Sequence, residues 1–426
     1  MANKLDYIVR HNFKKAYEVG FFHLISVNLL IQIVGFGMQM FLSKIMTPDN
    51  LGRMKVLQSF VGIAVIISTL GLDVAITKYC SEKIDDNEKI NLLATGLKIT
   101  FLISGLMVLV MFALSFFKVY STDILINKYM RVYIIIIPLL AINNICFSYL
   151  QSQKRIKSVA KVQSYSKFIN IFIVVILVYI FNFYGYIIGM IMGSLISFIL
   201  FLHELKDEIS SALSLKVNRL AFTKLFYMGK YNLLTNGIGQ LIMSTDALLI
   251  NYLSNKQSEL GYYSIAQLFI LGLRVIPSTI QQIMIPYISE EANNIENLIY
   301  IYKNYKKKIV LLMSVLVIPC YIFIPILINL FFGAKYLNSI KYFKILLFGF
   351  YFFCLYSTNI SLFIGLGKVK YNLYYGLFFE FVNLTVQYCL IKKCGIIGAA
   401  YGSSIAFILS FFFNEFITNR VLKNLK

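Results

Sequence analysis

Tryptophan is absent from the 426 residues, histidine occurs three times, and charged side chains make up only 14%. Soluble domains carry about a quarter charged residues, so this scarcity excludes an ordinary water-facing surface. The histidines, His11, His23 and His203, share no metal-ligand spacing. The six cysteines form no CxxC pair and fall mostly in apolar runs, which excludes a zinc motif or a disulfide framework. No nucleophile–base pair and no glycine-rich phosphate cradle appears, so catalysis is not expected. Acids are also few, 19 against 40 basic residues, for a net charge of +21. In a soluble chain that balance would point to nucleic acid. Here the basic residues sit in short polar segments between apolar runs, so no nucleic-acid partner is expected.

Hydrophobic residues supply 59% of the chain and the mean hydropathy is +0.74, the composition of an integral membrane protein. The first twenty residues, MANKLDYIVRHNFKKAYEVG, lack an apolar signal core and a small-residue cleavage site. The first apolar run is therefore expected to stay as an anchor. A window of about 20 residues yields twelve spans. They lie near 21–42, 56–77, 93–117, 131–152, 163–182, 184–203, 224–250, 262–287, 309–331, 342–365, 371–391 and 396–417. With the N-terminus placed in the cytoplasm, the inward segments hold about twice as many Lys and Arg as the outward ones. Both termini are expected to be cytoplasmic.

The halves resemble each other. LGRMKVLQSF (51–60) and LGYYSIAQLF (260–269) share Leu51/Leu260, Gly52/Gly261, Gln58/Gln267 and Phe60/Phe269, all 209 positions apart. At the same offset IIGMIMGSLI (187–196) matches IIGAAYGSSI (396–405), through Gly189/Gly398, Gly193/Gly402 and Ser194/Ser403. With a shift of four, Arg155-Ile156-Lys157 lines up with Lys368-Val369-Lys370, and Phe168/Asn170 with Phe381/Asn383. Six spans per half is an even number, so the repeats should be parallel, with a substrate site between them. The expected halves are 1–210 and 211–426.

Polar residues form stripes on several spans. Asn28, Gln32, Gly35 and Gln39 follow one helical face of span 1, and Asn232, Asn236 and Gly239 repeat the pattern on span 7. Span 2 offers Gln58, Thr69 and Asp73; span 8 offers Gln267, Arg274, Ser278 and Gln281. The plainer reading is interhelical hydrogen-bond glue; stripes on four symmetry-related spans favour a shared wet cavity.

Arg274 stands near the middle of span 8, and its counterpart at offset 209 is Val65, so symmetry does not require it. A central arginine costs about 2.5–3.5 kcal/mol on insertion scales, so it needs a cavity, a partner or an anionic ligand. One reading pairs it with Asp246 or Glu380; the other makes it a fork for phosphate oxygens. Asp246, Glu380 and Asn383 together suggest an oxygen-lined cation or proton site. Asp246 also reads as a solvated acid near the end of its span. Lys98 and Glu415, near helix ends, are expected to snorkel. Pro277 should loosen span 8 just beyond the arginine, and Pro138, Pro319 and Pro325 mark further bends.

The stretch TDALLINYLSNKQSELGYYSIAQLFILGLRVIPSTIQQIMIPYISE (245–290) resembles the polysaccharide-transporter branch of the multidrug/oligosaccharidyl-lipid/polysaccharide exporter superfamily. The shared marks are Asp246 in span 7, Gly261-Tyr262-Tyr263, and Pro286 near the end of span 8. Residues 28–79 are similar to the family's N-terminal signature. The resemblance implies an all-α membrane protein of two six-helix lobes around a V-shaped cavity lined by spans 1, 2, 7 and 8. It implies flipping of undecaprenyl-pyrophosphate-linked oligosaccharide, for O-antigen or capsule, across a bacterial inner membrane. A polysaccharide polymerase and a chain-length regulator are the protein partners it suggests. It further implies Na+ or H+ as the coupling ion, at Asp246, Glu380 and Asn383. The alternatives are a cation-coupled multidrug exporter of the same fold and a membrane glycan polymerase.

Overall fold

A computed structural model describes residues 34–254, 256–291 and 294–424. Within them the chain is helical, with no strand. A helix, α1, occupies 34–45. The Thr47 side chain then accepts the Asn50 amide and Pro48 takes the first turn, where its missing N–H costs nothing, so α2 starts at once (Pro48–Thr69). It stops where Leu70 and Gly71 both turn left-handed, and α3 (Leu72–Ser81) follows. Span 2, expected as one helix, is thus broken. Gly71 faces the Gly229 carbonyl so closely that a Cβ has no room.

The chain continues through α4 (Asp86–Leu114), α5 (Ile124–Tyr133), α6 (Ile136–Ser152), α7 (Ile156–Glu204), α8 (Lys206–Ser214), α9 (Arg219–Ser254) and α10 (Gln257–Glu290). After these come α11 (Ile295–Phe332), a short 3-10 turn (Ala334–Tyr336), α12 (Ser339–Gly365), α13 (Lys370–Cys394) and α14 (Ile397–Lys423). Helices α5 and α6 meet at a 47° bend just before Pro138, which lacks the donor that would continue the ladder. By contrast, α10 runs unbroken through Pro277 and Pro286, and α11 through Pro319 and Pro325. Helix α7 reverses at Asn182 (φ 51°, ψ −128°), within the NFYG connection, into two arms.

Among the described residues, eight helices are long and apolar enough to cross a membrane, or nine if α5 and α6 count as one. Most of expected span 1 lies outside the described residues. Spans 5 and 6 are the arms of α7, and α13, which carries Glu380, Asn383 and Gln387, is too polar to meet the apolar criterion.

Helices α2 and α10 cross at two glycines. A Cβ on Gly52 would strike the Gln257 carbonyl, and one on Gly261 would strike the Pro48 carbonyl. Gln257 lies 209 positions after Pro48, as Gly261 does after Gly52, so the crossing is reciprocal. Later elements follow another register. The left-handed residues Lys154 and Asn182 recur, 213 positions on, as Gly367 and Gly395. Likewise Gly185 packs on Leu177 and Gly189 on Val174, as Gly398 packs on Leu390 and Gly402 on Gln387. The packing therefore equates Gly185 with Gly398 and Gly189 with Gly402. The 209 alignment of these glycines gives way to the shift of four seen at Asn170/Asn383.

At one end of the molecule the turns interlock. Asn251 Nδ2 donates to the Tyr120 carbonyl at 2.7 Å, and its Oδ1 accepts from Ser121 Oγ (2.8 Å) and Gln257 Nε2 (2.9 Å). Lys335 Nζ donates to the carbonyls of Lys44 (3.0 Å) and Met46 (2.9 Å), and burial holds this amine below the ordinary lysine value. Lys98, expected to snorkel, donates to the carbonyls of Leu213 and Leu215 at the exposed end of α8.

Candidate functional site

Helix α9 places Thr245 and Asp246 beside α13. Asp246 is only 7% exposed, which corrects the reading of it as a solvated acid. Its Oδ2 accepts from Tyr263 OH (2.6 Å) and Gln267 Nε2 (2.5 Å); its Oδ1 accepts from Gln387 Nε2 (2.5 Å) and Ser403 Oγ (3.3 Å). One carboxylate thus ties together α9, α10, α13 and α14. Burying a charge in this way is tolerable because every lone-pair direction finds a donor.

Gln387 also donates to Asn383 Oδ1 at 2.7 Å, and Thr245 Oγ1 donates to Glu380 Oε1. Asp246, Glu380 and Asn383 therefore share one buried polar cluster. Two acceptors in it, Glu380 Oε2 and Gln387 Oε1, have no hydrogen-bond partner among the described residues. Glu380, Asn383 and Gln387 follow i, i+3, i+7, one helical face, so the third member was open to sequence reading. Tyr263 follows the Gly261-Tyr262 pair and Ser403 belongs to the repeated IIGAAYGSSI segment, but nothing in their spacing marks them as donors to Asp246.

A cavity of about 70 Å³ adjoins the cluster, lined in part by Asp246, Gln267, Asn383 and Ser403. Arg274 of α10 and Lys55 of α2 border it too. The Arg274 guanidinium lies 4.7 Å from the Phe353 ring centroid, and its Nη1 is 4.0 Å from Met243 Sδ. Among the described residues neither Arg274 nor Lys55 has a carboxylate partner, so the pairing of Arg274 with Asp246 or Glu380 is not formed. Lys55 escaped the sequence reading. It stands in LGRMKVLQSF, whose match to the second half rests on Leu51, Gly52, Gln58 and Phe60 and passes over it.

A larger cavity of about 670 Å³ lies beside the first and shares Leu271 with it. Gln39 and Gln58 line it, with Lys167, Asn170 and Tyr186 of α7; Gln58 Nε2 donates to Tyr186 OH at 2.7 Å. Not all expected residues gather here. Asn28 and Gln32 lie outside the described residues. Asp73 sits in the first turn of α3 with Oδ1 buried, and neither that oxygen nor Asn232 Nδ2 has a hydrogen-bond partner among the described residues. Asn236 is exposed, and Ser278 Oγ bonds back to the Val275 carbonyl at 2.9 Å. None of these four lines either cavity. Glu415, expected to snorkel, instead pairs with Lys306 at 2.5 Å and accepts from Asn359 at 3.0 Å.

Solved structures of membrane transporters share this fold of packed, membrane-length helices. An inward-facing multidrug resistance MATE family transporter of the MOP superfamily superposes with a TM-score of 0.79. It is 15% identical, over 92% of this chain and 96% of that one. The lipid II flippase MurJ, in an inward closed conformation, gives 0.77 at 18% identity, over 93% and 87%. The family model for polysaccharide biosynthesis protein matches residues 41–341, and the chain belongs to that family. A putative O-antigen transporter of Shigella flexneri is 25% identical over 238 residues, 55% of each chain. An uncharacterized membrane protein of Methanocaldococcus jannaschii is 26% identical over 222 residues, 49% of this chain and 41% of that one. The matches thus span about half the length of these relatives.

Proposed function

We propose that the protein flips a lipid-linked oligosaccharide, carried on undecaprenyl pyrophosphate, from the cytoplasmic to the outer leaflet of a bacterial inner membrane. One observation carries this reading: Lys55 and Arg274, on α2 and α10, border one cavity in which Asp246 is the single acid, and neither lies within ion-pair distance of a carboxylate among the described residues. Two cations against one acid, itself engaged by four hydrogen-bond donors, leave the cavity net positive, which favours an anionic head such as pyrophosphate over a cationic drug. Arginine contributes a planar fork suited to phosphate oxygens; lysine contributes a mobile point charge.

The architecture we infer is twelve spans in two parallel six-span halves, 1–210 and 211–426. The reciprocal glycine crossing at 209 and the recurring left-handed turns at 213 support it. The excess of Lys and Arg supports cytoplasmic termini, which would make the interlocked end the outward one, closed here.

For coupling, we assign the cation or proton to the Asp246, Glu380 and Asn383 cluster. Asp246 is saturated by four donors, so an incoming Na+ would take the free oxygens of Glu380 and Gln387 first. A proton would go to Glu380, whose Oε2 lacks a donor. A polymerase and a chain-length regulator would take the product at the outer face.

The test is flipping in proteoliposomes carrying a fluorescent undecaprenyl-pyrophosphoryl oligosaccharide. Protein-dependent exchange of the label, blocked by excess inorganic pyrophosphate, is expected. Export of a cationic dye with no movement of the pyrophosphoryl lipid would replace this reading with the multidrug one.

A further inference from the structure

A third cavity, of about 430 Å³, lies between α6 and the two arms of α7. It adjoins the 670 Å³ cavity, with which it shares the lining residues Lys167, Asn170 and Met190. Polar side chains interrupt its otherwise mainly apolar wall: Asn143, Asn144, Gln163, Ser166, Lys167 and Asn170 all contribute. A buried polar group is costly unless it pairs or serves a ligand.

Pairing accounts for little of this wall. Among the described residues, Asn143 Nδ2 donates to the Ser194 carbonyl at 3.2 Å, and Ser166 Oγ bonds back to the Val162 carbonyl of its own helix. Asn143 is buried and its Oδ1 has no hydrogen-bond partner among the described residues. Lys167 has no carboxylate partner among the described residues. Phe147 and Phe201 complete the wall with apolar rings. Amides and hydroxyls between aromatic rings suit a sugar, which offers hydroxyls at its rim and C–H faces above and below.

The repeat sharpens the chemistry. In the register that relates the left-handed turns, Lys167 corresponds to Glu380 and Asn170 to Asn383, 213 positions on. The first half thus holds a cation where the second half holds an acid, each beside an equivalent asparagine.

We propose that this recess is a saccharide subsite selective for a sugar bearing a carboxylate, which Lys167 receives while the amides hold the hydroxyls. The inference rests on the flippase reading and adds that the oligosaccharide it carries is acidic. It also separates the sugar site, at Lys167, from the pyrophosphate site, at Lys55 and Arg274.

The experiment uses the full chain in nanodiscs and three probes: a glucuronic-acid-containing disaccharide, its carboxyl-reduced neutral form, and inorganic pyrophosphate. Wild type should bind the acidic disaccharide about tenfold more tightly than the reduced one, the size of one charge-assisted contact. Lys167→Gln should erase that preference and leave pyrophosphate binding unchanged, while Lys167→Arg, which keeps the charge, should retain it. Arg274→Ala should do the reverse, losing pyrophosphate and keeping the preference. Equal binding of both disaccharides by wild type overturns the proposal. So does a Lys167→Gln protein that loses pyrophosphate as Arg274→Ala does. Failure of wild type to bind pyrophosphate, with the sugar preference intact, instead counts against the flippase reading.

Discussion

Gly52 and Gly261 hold reciprocal positions in the crossing of α2 and α10, each facing the first-turn carbonyl of the other helix. The contact is between backbones, so neither site can yield by moving a side chain. Gly52→Ala and Gly261→Ala should each lower the melting temperature in detergent, by similar amounts because the geometry is the same. Overpacking of this kind costs about 1–3 kcal/mol. An unchanged melting temperature in either variant would show that the helices separate freely here.

The same crossing shows what was legible beforehand. Its 209-residue offset is visible in LGRMKVLQSF and LGYYSIAQLF because close backbone approach leaves glycine no substitute. The 213 register was visible at Asn170/Asn383 and hidden at Gly189, because glycines spaced by four also match when slid by one helical turn. The break at Leu70–Gly71 was hidden inside an apolar run, where only the approach of Gly229 explains it. Lys55 was missed for a related reason: which way a residue of α2 faces depends on how α2 crosses α10. Burial of Asp246 was likewise unreadable, since its donors come from three other helices.

Topology gives the next test. With Cys389 and Cys394, the exposed native thiols, replaced, single cysteines at Lys157, Ser210 and Leu337 all lie at exposed positions. A membrane-impermeant maleimide added outside intact cells should label Leu337→Cys alone. Outside labelling of Ser210→Cys would invert the orientation drawn from the Lys and Arg count.

Asn251 joins Tyr120, Ser121 and Gln257 at the interlocked end. Asn251→Ala leaves those groups to find new partners, at about 1–3 kcal/mol for each buried group left unpaired. If that end is the outward gate, the variant should spend more time open. A cysteine at Gln39, in the large cavity, should then react faster with an impermeant reagent from outside than in the parent. An unchanged rate would mean that Asn251 stiffens the turn and does not hold the gate.

Asp246→Asn keeps the shape but replaces four-donor acceptance by a single carbonyl oxygen, and its new N–H2 faces donors. Flipping should fall and its Na+ or pH dependence should vanish together. Glu380→Gln, which removes the acid that lacks a donor on Oε2, should keep the fold and lose only the ion dependence. Wild-type ion dependence in both variants would place coupling elsewhere.

Arg274 is the most demanding residue to explain and gives the sharpest test. It stands halfway along α10, where an ammonium or guanidinium cannot reach water cheaply, and it has no carboxylate partner among the described residues. What holds it is the Phe353 ring at 4.7 Å and the cavity it shares with Lys55. A cation–π contact is worth about 2 kcal/mol when desolvated, which does not exceed the insertion cost, so stability alone does not account for the residue. Arg274→Ala should therefore leave the melting temperature and membrane abundance near the parent's while flipping falls about 10- to 100-fold, the loss of one charge-assisted contact. Arg274→Lys should restore part of the rate, because the charge survives and the fork is lost. Lys55→Gln should lower flipping as well, and the double variant should fall short of the product of the two single losses if both grip one pyrophosphate. Full flipping by a well-expressed Arg274→Ala protein would assign the guanidinium to packing against Phe353 and move the anion site elsewhere.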